Sequence, residues 1–284
     1  MELFECHGHL MLDGTEYARA RARHGGGADR TALAENLAAL RAAGVRAYRD
    51  GGDPLGVGLL GRDMAEEYGI RAASPVFAIY KRGRYGSILG RSYEDLSEYR
   101  ALLSEVRRQG GDFIKLVVSG IITFREYGEL SCPGLPAGEI RELIRIAHGE
   151  GFCVMCHANG PEQVLAVAAA GGESVEHGYF SDDDCLSAMA ETGCVWVPTL
   201  TAVEAFLARP DTDRTVAEAT LTRQKDAVRR AARMGVKLAC GSDAGAAGVP
   251  HGAGAARERE LLLSLIGEEA LQAGNRRILE AFFR

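Results

Sequence analysis

The chain has 284 residues, of which 46% are hydrophobic, so it can bury a large core as one α/β barrel or as two smaller domains. Its formal net charge of -6 argues against a dedicated nucleic-acid binder, because such proteins neutralise phosphates with Lys and Arg. No signal peptide is evident, and no apolar run reaches the roughly 18 to 20 residues that span a bilayer. These features predict a cytoplasmic protein without membrane contact, and the odd number of cysteines, 7, favours reduced thiols in the core.

The chain opens with an apolar run that leads into His7 and His9. Side chains on a strand alternate with a period of two, so both imidazoles would point to the same side of a strand. A helix would need the two histidines three or four residues apart. The spacing therefore predicts a strand whose end offers two nitrogen ligands to one metal ion.

Short apolar runs then alternate with longer segments of helical period along the whole chain. The predicted strands are 3–6, 45–49, 70–79, 113–117, 153–156, 174–176, 194–197 and 236–240. The predicted helices include 30–43, 93–109, 137–150, 161–170, 182–191, 213–234 and 268–283. About eight strands match a closed (β/α)8 TIM-type barrel better than a doubly wound sheet. With no interdomain linker in sight, we predict one domain over residues 1–284.

In such a barrel, reactive side chains belong at the carboxyl ends of the strands. Lys115 lies inside an apolar strand, where an isolated ammonium would be costly to bury. His157, His177 and Asp243 each follow a later predicted strand. Together with His7 and His9, these residues are what a metal site at one edge of the barrel would need.

These patterns resemble the amidohydrolase superfamily, the metal-dependent hydrolases built on a (β/α) barrel. The chain looks most like the imidazolonepropionase-related branch, which includes prolidase-like dipeptidases with a binuclear zinc site. The segments that carry this closer resemblance are 44–52, 114–115, 175–178, 197–200, 241–243 and 250–252.

The resemblance implies a role for each candidate ligand. His7, His9 and Asp243 would bind the more buried metal. His157 and His177 would bind the more exposed one, and Lys115, carboxylated by carbon dioxide, would bridge the two. Zinc is the expected metal, with manganese or iron as alternatives.

The same resemblance implies hydrolysis of a C–N amide bond in a dipeptide, an N-acyl amino acid or a small cyclic amide. A hydroxide shared by the two metals would attack the carbonyl. Asp243 would take its proton and deliver it to the leaving nitrogen, which makes Asp243 the catalytic acid and base.

Two features depart from that branch. The small β-sandwich that commonly flanks the barrel is not evident in this chain. The loop after the third predicted strand carries Arg82, Arg84 and Tyr85 in place of a His/Gly-rich stretch. Clustered arginines and a tyrosine could clamp a carboxylate or phosphate, which makes these three residues candidate substrate contacts. The alternative is a basic loop that is simply solvated.

Further predicted contacts follow from position. His251 lies in a Gly- and Pro-rich loop after the last predicted strand, and its alternative role is to order that loop. Asn159 and Tyr179 each lie two residues beyond a proposed ligand and should face the mouth of the pocket as substrate contacts. Arg49 and Asp50, at the end of the second strand, should hydrogen-bond beneath the ligands and orient them.

Several alternatives remain open from sequence. A mononuclear deaminase or imidazolone-type hydrolase would not use a lysine carbamate, so Lys115 favours two metals. A lactone or ester hydrolase would use the same chemistry, and a metal-binding barrel without turnover would keep the same ligands. Residues 153–157 match a haem-attachment pattern, but this segment is predicted to be a buried strand. Residues 56–61 match a dinucleotide-binding pattern, but the strand that follows lacks the acidic residue that would bind a ribose. A homo-oligomer is compatible with everything above.

Overall fold

A computed structural model describes residues 2–283. Within that range it contains nine β-strands. The strands are Leu3–Gly8 (β1), Val45–Asp50 (β2), Arg71–Ala73 (β3), Ala78–Lys81 (β4), Gly90–Tyr93 (β5), Ile114–Val117 (β6), Val154–Ala158 (β7), Ser174–His177 (β8) and Val195–Val197 (β9).

Eleven α-helices lie between and after these strands in the described residues. They are Tyr17–Arg23 (α1), Arg30–Ala42 (α2), Val57–Met64 (α3), Leu96–Arg108 (α4), Ala137–Gly149 (α5), Pro161–Ala169 (α6), Asp183–Thr192 (α7), Leu200–Phe206 (α8), Arg214–Arg233 (α9), Ala253–Ile266 (α10) and Glu268–Phe282 (α11). In the same part of the chain, no helix has both the length and the apolar character needed to cross a membrane.

Every strand pair is parallel, and the strands fall into the orders β1-β2-β3 and β5-β4-β6-β7-β8-β9. Residues 236–244 close the ring between β9 and β1. Leu238 forms an isolated parallel bridge with Trp196, and Ala244 forms another with Gly8. The result is the predicted (β/α)8 barrel, in which all strands end on the same rim.

Two predicted strands need correction. The run 70–79 is two strands, β3 and β4, because Pro75 has no N–H to give to a ladder and Val76 adopts a φ of 71°. The run 236–240 has only an isolated bridge, because the Cys240 N–H donates to the Asn275 side chain at 2.8 Å instead of to a neighbouring strand.

One predicted helix also begins later than expected. Helix α4 starts at Leu96, not at residue 93, because the Asp95 carboxylate accepts hydrogen bonds from the N–H groups of Ser97 and Glu98 and so caps the helix there. Tyr93 instead ends β5, opposite Lys81. The other predicted helices coincide with observed ones to within one or two residues.

Amphipathic helices pack against the outside of the barrel. In α2, Leu33, Leu37 and Leu40 are all buried, as the three-to-four-residue spacing of an inward face requires. Inside the barrel, Phe282 of α11 packs edge-to-face on Phe113 with ring centroids 5.1 Å apart. These layers leave the rim at the carboxyl ends of the strands as the place where polar side chains gather.

Candidate metal centre

A cavity of about 280 Å³ opens at the carboxyl ends of the strands. Its inner end is lined by all six predicted ligands. These are His7, His9, Lys115, His157, His177 and Asp243. Residues that are up to 236 positions apart in the chain therefore meet in one place, as the barrel topology predicts.

Three of these side chains converge closely. Asp243 Oδ1 lies 3.3 Å from His9 Nε2 and 3.6 Å from His7 Nε2. One donor atom from each of the three residues lies within 4.8 Å of the others, which is close enough for one cation to contact all three. His7 and His9 are buried, and the Asp243 side chain is 19% exposed.

The other two candidate histidines, His157 and His177, lie next to this group. The ring centroid of His177 lies 4.9 Å from that of His7 and 4.7 Å from that of His157. Two imidazoles therefore lie beside the first cluster, and Lys115 lines the same cavity.

Lys115 is the residue that most needs an explanation. It is 2% exposed, on a strand buried along its whole length, and its Nζ has no hydrogen-bond partner among the described residues. Burial is the main cause that lowers the pKa of this amine to about 8. An orphaned amine beside the imidazoles fits the predicted carboxylation, because a carbamate would give cations an anionic oxygen ligand where the bare amine has none.

The second nitrogen of His7 is held by a buried carboxylate. His7 Nδ1 lies 2.8 Å from Glu176 Oε2, and Arg49 Nη2 donates to Glu176 Oε1 at 2.8 Å. Burial raises the pKa of Glu176, but Arg49 and His7 outweigh it and lower the pKa to about 2. The ionised carboxylate can only accept, so it holds the proton on Nδ1 and leaves the Nε2 lone pair of His7 facing Asp243.

His157 and His177 are oriented by loop groups instead. His157 Nε2 lies 3.2 Å from the Gly120 carbonyl, which only accepts, and 3.3 Å from Asn159 Nδ2, which only donates. The shorter contact favours a proton on Nε2, which leaves the lone pair on Nδ1. His177 Nδ1 lies 2.9 Å from Thr199 Oγ1, and the Tyr179 hydroxyl lies 2.9 Å from the same oxygen. Each of these two rings therefore keeps one nitrogen for the cavity.

Three residues of this rim adopt left-handed backbone conformations that are unusual for non-glycine residues. The φ angles are 66° for His177, 47° for Thr199 and 63° for Asp243. Such conformations cost about 1–3 kcal/mol each and persist where the surrounding structure enforces them, commonly at functional sites.

The electrostatic state of the cluster suits cation binding. Burial is the main reason why the pKa of His7 falls to about 4 and that of His157 to about 3. Burial also lowers the pKa of His177 well below its usual range. Burial pushes the pKa of Asp243 upward, but the His9 hydrogen bond and the nearby His7 and His177 outweigh it and lower the pKa. Neutral imidazoles and an ionised carboxylate are the forms that bind divalent cations.

The predicted substrate contacts divide into two groups. Tyr85, Asn159 and Tyr179 line the cavity. Asn159 also accepts a hydrogen bond from the Tyr179 N–H at 3.1 Å, so it supports the wall that Tyr179 forms. Tyr85 lies over His157 with ring centroids 5.3 Å apart.

The remaining three predicted contacts do not lie on the cavity wall. Arg82 is exposed and paired with Glu98 at 2.7 Å, and Arg84 is exposed near the Pro133 carbonyl. His251 Nε2 donates to the Leu12 carbonyl at 2.8 Å, which is the loop-ordering alternative. None of the three lines the cavity, because the first two point to solvent and the third is held behind the wall.

Arg49 and Asp50, which were predicted to orient the ligands from beneath, differ in their contacts. Arg49 acts on His7 through Glu176, while Asp50 accepts the N–H groups of Leu10 and Gly52 at 3.1 and 2.8 Å. Sequence reasoning missed the roles of Glu176 and Thr199 as orienting groups, and it missed Arg209 on the cavity wall. Glu176, directly before a predicted ligand in an apolar strand, carried the one signal that would have identified it.

A protein-family model described as "Amidohydrolase family" matches residues 31–265 of the chain. This match covers most of the sequence, so the chain belongs to the amidohydrolase family. The predicted superfamily is therefore confirmed, and the barrel and the clustered side chains agree with it.

Curated relatives match over a shorter segment. An uncharacterised protein of Mycobacterium tuberculosis is 33% identical over 113 residues, which cover 40% of this chain and 30% of that protein. The ochratoxinase of Aspergillus niger is 29% identical over 109 residues, covering 38% of this chain and 22% of that enzyme. The matched segments thus span less than a third of the length of these relatives.

Solved structures share the fold over nearly the whole chain. A Xaa-Pro dipeptidase crystallised with methionine in its active site superposes with a TM-score of 0.80 at 22% identity, covering 99% of this chain and 75% of that one. The Aspergillus niger ochratoxinase superposes with a TM-score of 0.73 at 20% identity, covering 96% and 68%. At these identities the likeness supports the barrel fold.

Proposed function

We propose that this chain is a metal-dependent hydrolase of C–N amide bonds that acts on a dipeptide, an N-acyl amino acid or a small cyclic amide. The observation that carries the proposal is the convergence of His7, His9 and Asp243 donor atoms within 4.8 Å, beside a buried lysine without a partner. Family membership and the names of relatives, among them a dipeptidase and an ochratoxinase, support the same reaction class.

In this proposal, His7, His9 and Asp243 hold one divalent cation. His157 and His177 would hold a second, and carboxylated Lys115 would supply oxygen ligands. Zinc suits the imidazole and carboxylate donors, and manganese or iron are alternatives. Two cations so held supply a water of lowered pKa and polarise the substrate carbonyl.

Side chains at the cavity would transfer the proton and position the substrate. The Asp243 carboxylate is ionised and partly open to the cavity, so it can accept a proton from water and later release it to the leaving nitrogen. The Tyr85 side chain lines the cavity beside His157, where its hydroxyl could contact a polar atom of the substrate. Tyr179, tied to Thr199, would form a fixed wall.

A one-metal enzyme is the second candidate, and one observation favours it. Within the described residues, His7, His9 and Asp243 are the only group of three or more His, Cys, Asp or Glu donors close enough for one ion. A mononuclear deaminase or imidazolone-type hydrolase would use that group and leave Lys115 unmodified. Lys115 therefore discriminates between the two functions.

The test is elemental analysis of the protein purified with zinc and bicarbonate, compared with Lys115→Met. Methionine keeps the volume of the side chain and removes the amine. We expect about two metals per chain in the wild type and about one in Lys115→Met, with loss of hydrolysis across a dipeptide library. Lys237→Ala, which removes an exposed lysine, is the matched control and should change neither quantity.

Other outcomes would redirect the proposal. One metal per chain in both proteins, with activity retained by Lys115→Met, would establish the mononuclear alternative. Two metals with no amide hydrolysis would leave lactone or ester hydrolysis, or metal binding without turnover, to be tested with the corresponding substrates.

A further inference from the structure

The outer part of the cavity differs in character from its inner end. Beyond the histidines and Asp243, the wall is formed largely by aliphatic and aromatic side chains. The apolar side chains that line the cavity include Leu12, Leu89, Ile122, Phe124, Val203 and Phe206. A substrate that reaches the inner end must therefore bury much of its surface against apolar groups.

Two of these side chains form a preorganised aromatic wall. Phe124 and Phe206 stack with ring centroids 4.2 Å apart and planes 30° apart. Phe206 ends α8, and Phe124 lies in the loop that the antiparallel bridge between Ile122 and Leu130 holds together. Because two separate segments hold the pair, the wall does not have to form when a ligand enters.

The charges on the wall are few and already occupied. Among the described residues that line the cavity, Asp243 is the single carboxylate, and Lys115 and Arg209 are the only cations. Arg209 is bound to Asp211 by two hydrogen bonds of 3.0 and 2.7 Å, and its guanidinium lies 4.8 Å from the Phe206 ring centroid. The Arg209–Asp211 pair is exposed, with 36% and 64% of the two side chains accessible. A charged substituent in the outer cavity would thus lose water and meet at most one cation, which already has a carboxylate partner.

We infer that the substrate is an amide that carries bulky, uncharged apolar groups, aliphatic or aromatic, next to the scissile bond. The inference rests on the proposed amide hydrolysis and narrows its substrate class. A pocket of this kind gains from each buried methylene and penalises a charge that it cannot pair. We expect a preference of about 100-fold in kcat/KM for an apolar over a carboxylate side chain at the same position.

The test uses four dipeptides with the zinc-loaded protein: Leu-Phe, Asp-Phe, Leu-Glu and Asp-Glu. The terminal charges are common to all four and cancel in the comparison, while the two mixed peptides show which half of the substrate meets the apolar wall. A second readout is independent of turnover. It is the binding of N-phenyl-1-naphthylamine, a neutral apolar dye, followed by fluorescence, and its displacement by each dipeptide.

Ile121 provides the variant, because it lines the cavity and is 36% exposed, so a charge there is compatible with folding. We expect Ile121→Asp to lower both the dye affinity and the kcat/KM for Leu-Phe by about 10-fold. The apolar substitution Ile121→Val should leave both quantities close to their wild-type values. Leu165→Asp is the matched control. Leu165 is equally apolar and 39% exposed, but it lies on α6 away from the cavity, and its variant should match the wild type.

The two proposals fail in distinguishable ways. If the protein binds the dye and Leu-Phe displaces it, but no peptide is hydrolysed, the amide hydrolase proposal is wrong and the apolar site stands. If peptides are hydrolysed but Asp-Glu is cleaved as well as Leu-Phe, or if Ile121→Asp binds the dye as the wild type does, the apolar substrate class is wrong.

Discussion

The two sides of the candidate metal centre are built differently. On one side, His7 is held by Glu176, which is held by Arg49, and all three side chains come from strands and are fully buried. On the other side, His177 is held by the hydroxyl of Thr199, a loop residue with a φ of 47°. The first arrangement rests on a buried ion pair and the second on one neutral hydrogen bond.

The two sides also differ in how closely their candidate donor atoms lie together. The His7 side brings three donors within 4.8 Å, whereas the His177 side includes Lys115, whose amine has no partner among the described residues. A carboxylate buried with its cation is expensive to disturb, and a hydroxyl contact is not. The comparison teaches that both halves of the site are buried but are oriented differently, the first by an ion pair between strands and the second by a neutral hydrogen bond to a residue outside the strands.

The largest expected effect comes from breaking the ion pair on the His7 side. Arg49→Met leaves Glu176 buried without its cation and also removes the hydrogen bonds to the Cys6 carbonyl and the Ser174 hydroxyl. We expect the free energy of unfolding to fall by roughly 3 to 5 kcal/mol. Chemical denaturation at fixed metal concentration measures it.

The control for that variant is an exposed ion pair. Arg229 binds Asp226 at 2.7 Å, and both side chains are about half exposed. Arg229→Met should cost less than about 1 kcal/mol, because solvent screens such a pair. If both variants lost the same free energy of unfolding, the buried ion pair on the His7 side would contribute no more than an exposed pair, and this account would be wrong.

The second prediction concerns the pH dependence of stability on the His177 side. Glu258 of α10 accepts hydrogen bonds from the Leu200 and Thr201 N–H groups at 3.0 and 2.7 Å, and so supports the start of α8 directly after Thr199. Burial, with Glu204 and Glu5 nearby, raises the pKa of Glu258 from 4.5 to about 7, against the hydrogen bonds that lower it.

The sign follows from proton binding. Between pH 4.5 and 7 the folded protein keeps a proton on Glu258 that the unfolded chain has lost, so the contribution of Glu258 to stability is complete below pH 4.5 and is lost as pH rises to about 7. Relative to Glu258→Gln, we expect the wild type to lose about 3 kcal/mol across that window. Denaturation at several pH values measures the difference. A difference that stays flat with pH, or one reproduced by the exposed Glu260→Gln, would refute this account.

The smallest expected effect concerns Thr199 itself. Thr199→Val keeps the shape of the side chain but removes the oxygen that contacts His177 and Tyr179 at 2.9 Å. We expect one of two metals to bind about 10- to 100-fold more weakly and the other to bind as before, because the lost partner orients only the His177 side. Competition with a chelator measures both affinities. Thr222→Val, at an exposed position of α9, should change neither, and equal weakening of both metals would contradict the separation of the two sides.

Much of the barrel could be predicted from local patterns. Helix α2 follows from a capping aspartate and a repeating leucine face, and strand β2 follows from a short segment that begins after Gly44 with Val45, so both signals are contained in short stretches of chain. The two failures have different origins. Pro75 was present in the predicted third strand and should have divided it, whereas the side chain of Asn275, which replaces a strand partner for Cys240, is 35 residues away and carried no signal.

The candidate ligands were identifiable because each breaks a local rule. His7 and His9 interrupt an apolar run, Lys115 is a charge inside a buried strand, and Asp243 follows the position where the last strand was expected. The outward direction of Arg82 and Arg84 was not identifiable, because the pairing of Arg82 with Glu98 on α4 decides it.

The sequence by itself therefore determined the fold class, the family resemblance and the identity of the side chains at the inner end of the cavity. These depend on residue type and on spacing along the chain. Only the tertiary structure decided which nitrogen of each histidine is free, that Glu176 and Thr199 orient two of them, and that apolar side chains from distant segments enclose the outer cavity. Those properties are distances between residues far apart in sequence, such as the 2.8 Å between His7 and Glu176 across 169 positions, and they exist only once the barrel has closed.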